Sequence, residues 1–140
     1  MIRLLSIVAL LVACSILLSC QSYSTGLQQS VASAGETSAI ATLKTISTTQ
    51  QTYAVSNGGS YGSFQQLCEA GYLDSRFNST NPKVMGYVFS MNLGDKSFSC
   101  NADPAPGTAQ SLRHFFIDSS SGEMHANPTQ PATSADPGLN

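Results

Sequence analysis

Charge is what this chain of 140 residues has least of: 6 Lys+Arg and 8 Asp+Glu, 10% of the residues, where soluble domains usually carry about 25%. A groove that neutralises phosphates needs clustered Lys and Arg, so nucleic acid is excluded as a partner, and so is a polybasic mode of membrane binding. Tryptophan is absent and there are only two histidines, His114 and His125. No Cys-x-x-Cys spacing occurs, which leaves too few ligands for a zinc site. There is no Gly-x-Ser-x-Gly elbow, no glycine-rich phosphate loop and no pair of carboxylates placed for acid–base work. No catalytic residue, metal ligand or cofactor is therefore assigned, and a non-enzymatic protein is expected. Against these absences stand 41% hydrophobic residues, 22 Ser and 11 Thr, the composition of an exported domain with an uncharged surface.

The uncharged stretch has a location. After Arg3 no charged residue occurs until Glu36. Leu4 to Leu18 is an apolar run of about 15 residues, short of the ~20 that span a bilayer as a helix but suited in length to a secretory signal core. Its end, Leu17-Leu18-Ser19-Cys20, resembles a bacterial lipobox. The resemblance implies cleavage before Cys20 and acylation of its thiol, with two or three acyl chains giving a stable anchor. Leu11-Val12-Ala13-Cys14 fits the pattern too, but cleavage there would leave a short signal and an apolar stub. An ordinary secretory signal and an uncleaved apolar anchor are the alternatives. Gln21 after the cysteine leans toward the outer membrane, facing the periplasm or the cell surface. Of four cysteines, Cys68 and Cys100 remain for the exported part. An even pair in an oxidising compartment is expected to form a disulfide, closing a loop of about 30 residues for about 3–4 kcal/mol.

Past the signal of residues 1–20, residues 21–35 read as a Ser/Gln/Gly-rich tether. Ser33-Ala34-Gly35-Glu36 fits a capping box, and Ala39, Ile40, Leu43, Ile46, Tyr53 and Ala54 then recur near a period of 3.6, predicting an amphipathic helix that Asn57-Gly58-Gly59 stops. Ser63-Phe64-Gln65-Gln66 is a second capping box, opening a short helix with Leu67 and Cys68 inward and Gly71 beyond its end. From Met85 to Leu93 the period switches to two. A hairpin loop at Gly94-Asp95 returns the chain through Phe98 and Cys100; further strands are expected at Leu112–Asp118 and Glu123–Ala126. Residues 127–140, with three prolines among small polar residues, read as a disordered tail. The order is α+β: a long N-terminal helix packed on a small antiparallel β-meander.

Several stretches in this order resemble the globular part of type IV pilins and type II secretion pseudopilins. They are Glu36 to Ile46, Gln50 to Tyr53, Leu67 to Asp74 with Gly71-Tyr72-Leu73-Asp74-Ser75, Lys83 to Phe89, Ala102-Asp103-Pro104, and Arg113 to Asp118 followed by Ser121-Gly122-Glu123-Met124. The resemblance covers residues 36–126 and implies a pilin-like domain. The family's Gly-Phe-type processing site and the Glu early in its mature helix are missing, and the lipobox-like signal stands in their place. Together these features lead to the expectation of an envelope lipoprotein whose partners are the membrane, through a lipid or the apolar segment, and other envelope proteins. The alternative is a pseudopilin- or minor-pilin-like component of a pilus or secretion assembly.

Three polar constellations remain. His114 and Asp118 share one face of a strand, and pairing Asp118 with Glu123 would set His125 against Phe116. A solvated strand face outweighs a His/His/Asp metal site there. Asp118-Ser119-Ser120-Ser121-Gly122-Glu123 holds too few carboxylates for calcium and reads as an Asp-initiated turn. Tyr53, Tyr61 and Tyr72 gather about the glycine-rich loop and are expected to cover the end of the core.

Overall fold

The computed structural model describes the backbone of residues 2–108 and 112–139 and the side chains from residue 26 onward within that range. Helix α1 is assigned over Ile2–Ser56. The contacts divide the chain into two units, 1–33 and 34–140, and the packing of helix on sheet lies within the second. The capping box expected at Ser33 is not a helix start, since α1 runs through it; Glu36 instead reaches Arg113, far along the chain.

The buried stripe of α1 is Gly35, Ala39, Leu43, Ile46, Gln50 and Ala54, spaced three or four residues apart as a single helix face requires. Gly35 suits this position because a Cβ would come 3.1 Å from the Met85 carbonyl oxygen, a tight contact that a glycine avoids where the helix lies against the sheet. The helix ends where Asn57 and Gly59 both donate backbone N–H bonds to the Ala54 carbonyl, with Gly58 and Gly59 left-handed at φ 64° and 87°.

Helix α2 spans Phe64–Glu69 and starts as its sequence specifies: the Gln66 N–H donates to the Ser63 hydroxyl, and the Ser63 N–H to the Gln66 side chain. Phe64 and Leu67 enter the core. A 3-10 turn follows at Ser75–Phe77, capped by Asp74.

Five antiparallel strands then form a meander in sequential order: β1 Lys83–Val84, β2 Tyr87–Leu93, β3 Phe98–Pro104, β4 His114–Asp118 and β5 Met124–Asn127. The protein is α+β, a long helix on an antiparallel sheet. Tyr87 and Phe89 of β2, Phe98, Cys100 and Ala102 of β3, Phe115 and Ile117 of β4 and Met124 of β5 form the inner face. The alternation predicted from Met85 begins two residues later. Met85 and Gly86 are both left-handed, at φ 48° and 82°, and make the two-residue turn between β1 and β2.

Two expectations are corrected. Cys68 and Cys100 are free thiols, not a disulfide. Leu67 is the residue of α2 that fills the core; Cys68, about 100° further round the helix, lies at the rim, where its Sγ donates to the Asp74 carbonyl at 3.2 Å. Cys100 is sealed on the inner face of β3. Burial pushes both thiols up, and the Asp74 and Glu69 charges add to it at Cys68.

The tail, in turn, is ordered. Residues 128–139 fold back on the sheet: the Asn101 amide donates to the Ala132 carbonyl, His125 Nδ1 meets the Asp136 carbonyl at 2.7 Å, and the Asn127 amide donates to the Asp136 carboxylate at 2.7 Å. The Leu139 N–H then donates to the Met124 carbonyl, and the Ala126 N–H to the Pro137 carbonyl. Ala132 is buried and the outer side of β5 is closed.

Candidate interaction surface

Cys20, the expected lipidation site, falls among the residues whose side chains lie outside the described set. Among the described residues no helix is long and apolar enough to cross a membrane, and no group of three or more His, Cys, Asp or Glu could hold a metal ion.

The polar constellations of the sequence are drawn apart. The register sets Phe116 against His125 and His114 against Asn127. His114 Nδ1 meets Asp103 Oδ1 at 2.6 Å, His125 is taken up by the tail, and Asp118 turns onto its own loop. Burial pushes the Asp118 carboxyl up, but the N–H and hydroxyl bonds of Ser120 and Ser121 outweigh it and hold it below the ordinary value. That is turn chemistry. Asp103 is the partner that sequence reading missed, because it comes from β3, a different strand from that of His114. Tyr53 packs edge-on against Tyr72, and Tyr61 at a tilt against Phe98, at the end of the core.

Glu36 and Gln50 make polar contacts that hold the helix to the rest of the domain. The first is Glu36 with Arg113. The Arg113 backbone N–H donates to Oε1 at 2.9 Å, and Nε and Nη2 donate to Oε2 at 3.0 and 2.7 Å. The same guanidinium lies 5.3 Å from the centre of the Phe115 ring, and the Tyr87 hydroxyl donates to the Arg113 carbonyl. Burial pushes the Glu36 carboxyl up, while the Arg113 bonds and charge pull it further down, leaving it below the ordinary range.

The second contact is Gln50, fully buried in the helix stripe. Its Nε2 donates to the Gly62 carbonyl at 2.6 Å, and its Oε1 accepts the Gly62 N–H at 2.9 Å, so a side-chain amide pairs with a backbone one as a strand would. Nε2 also lies 3.0 Å from Met91 Sδ. At Gly62 a Cβ would press on the Tyr53 ring at 3.0 Å, so a side chain there would have to push the ring aside. This clamp fixes the loop that leads into α2. The signal for it was a glutamine at an apolar position of a 3.6-period stripe.

Beside the clamp is a cavity of about 340 Å³. The start of α2 (Ser63, Phe64), Ser79 and Thr80, and Met91 and Leu93 of β2 line it. No charged residue lines it. The arrangement offers hydroxyls, an apolar floor and a strand edge.

No protein-family model matches this chain, and no curated protein or solved structure shows a significant likeness to it.

Proposed function

We propose that this chain is a bacterial cell-envelope lipoprotein, anchored through Cys20, whose pilin-like domain serves as a structural or interaction module. The observation that carries the reading is the stacking of the second half of α1 on a sequential five-stranded meander. It supports the resemblance of residues 36–126 to pilin-type domains. Glu36, Gln50, Asn101, His125 and Asn127 each fasten one element to another, which suits a scaffold. Mass spectrometry of the membrane-extracted protein tests the anchor. The expected mass is that of a chain beginning at an acylated Cys20; an unmodified, uncleaved N-terminus would overturn it.

The second reading is a pseudopilin- or minor-pilin-like component of a pilus or secretion assembly, held by an uncleaved apolar segment. The helix assignment favours it, running without interruption from Ile2 to Ser56. The same mass measurement distinguishes the two.

A further inference from the structure

In β2 the residues alternate in the direction of their backbone groups. Gly94 donates its N–H to Ser97 across the hairpin, so Asn92, Ser90 and Val88, in step with it, bond toward β3. Phe89, Met91 and Leu93 point their N–H and C=O groups the other way. The Phe89 N–H finds the Pro82 carbonyl, but Pro82 has no N–H to return. Beyond it β1 has ended, and nothing in the described chain pairs with the backbone of Met91 or Leu93. The sheet thus keeps an open edge where the uncharged cavity lies.

Natural sheets guard such edges with short strands, proline, lysine or a cover. Each guard is present elsewhere in this sheet. β1 is two residues long and opens Pro82-Lys83, and the tail covers β5. Residues 91–93 carry none.

We propose that this edge takes an added strand: an uncharged, extended segment of a partner protein pairs its backbone with Met91 and Leu93 and places an apolar side chain in the cavity between β2 and α2. Main-chain bonds supply the affinity and the pocket the selectivity. A second copy of this chain is the other occupant that the test separates. The proposal rests on the reading of the domain as an interaction module and names its partner; its failure would leave the anchor, read by mass, untouched.

The test uses the full chain in detergent micelles and a displayed library of uncharged heptapeptides. The strongest binder is resynthesised with N-methyl groups on alternate residues, in each of the two possible registers. One register is expected to weaken binding about tenfold or more and the other to leave it intact, because only alternate N–H groups face the edge. The Met91 and Leu93 amides should gain protection from hydrogen exchange on binding. Leu93→Pro removes an N–H that no ladder bond uses, and should weaken binding by a similar factor. Should that variant fail to fold, Thr80→Arg, which fills the cavity from its wall, takes its place. A library without binders, binders indifferent to both methylation registers, protection that maps elsewhere, or unchanged affinity in the variant would each overturn the proposal. So would protection of Met91 and Leu93 that rises with protein concentration alone, which would make a second copy the occupant.

Discussion

The two edges of the sheet are finished in opposite ways. At β5 the C-terminal residues return, giving the Leu139 N–H to Met124 and taking the Ala126 N–H at Pro137. At the other side the outermost strand is two residues long, and β2 continues past it with bare backbone. The closed edge is held almost without apolar burial: Asn101, His125 and Asn127 lie on the outer face and grip tail oxygens. The open edge, by contrast, adjoins Phe64, Met91 and Leu93, the apolar end of the core. Polar side chains aimed at backbone groups can therefore seal an edge, and an apolar wall beside an edge can leave it available.

Removing the tail should break this contrast most. A chain truncated before Pro131 loses Ala132 and the contacts of Asn101, His125 and Asn127. The expected cost is about 3 kcal/mol from the three side-chain bonds, at about 1 kcal/mol each, and the lost backbone bonds of Leu139 and Ala126 add to it. It also turns β5 into a second open edge, so size-exclusion chromatography should show concentration-dependent association that the full chain lacks. A truncated chain with unchanged melting temperature and no association would mean that the tail merely rests on the sheet.

Gln50→Ala attacks the open side instead. It leaves the Gly62 N–H and carbonyl buried without partners, and a loss of about 2–3 kcal/mol is expected in chemical denaturation. Gln50→Glu supplies acceptors but no donor for the Gly62 carbonyl and should recover little. If the two variants melt like the parent, the loop before α2 is held by Tyr53 and Tyr72 and not by the clamp. A smaller step on the closed side is Asn127→Ala. Asn127 Oδ1 accepts the N–H groups of Thr129 and Gln130 while its amide binds Asp136, so about 1 kcal/mol should be lost. Faster exchange of the Ala126 and Leu139 amides would locate that loss at the tail; unchanged exchange would deny the anchor.

How far these features were legible in the sequence depends on whether apolar pattern carries them. The stripe of α1, the Ser63 capping box and the alternation along β2 follow local rules, and the α+β build follows from them. The features that decide the edges follow no local rule. Gln50 is a polar residue spent on a backbone twelve positions away. The tail has the composition of a disordered segment because its fastening is done by partners outside it, Asn101 and His125 among them. The cysteine pair misled for a related reason. Counting thiols says nothing of which one of two adjacent residues, Leu67 or Cys68, the helix turns inward. Glu36 satisfied a capping pattern by spacing alone while its true partner, Arg113, lay 77 residues on.

The smallest expected effect, a pH dependence, separates the tail from the body. Asp136 is held below its ordinary 3.8, first by the Thr133 N–H, then by the Asn127 amide and, more weakly, by the Thr133 hydroxyl and His125. Glu36 is held below 4.5 despite burial, by Arg113. A carboxylate whose pKa is lower in the folded state stabilises that state above its unfolded value, and the contribution fades as pH falls through the folded one. Stability should therefore begin to decline below about pH 4.5, with the Glu36 contribution leaving first and that of Asp136 only below about 3.8. Asp136→Asn should abolish the acid-induced loss of protection at Leu139 and Ala126 and leave the body's midpoint where it was. Glu36→Gln should lower the melting temperature at neutral pH and flatten its fall in acid, with the tail still opening. Tail and body amides that titrate together in both variants would show that the closed edge is part of one cooperative unit, and that its difference from the open edge is one of geometry and not of independent stability.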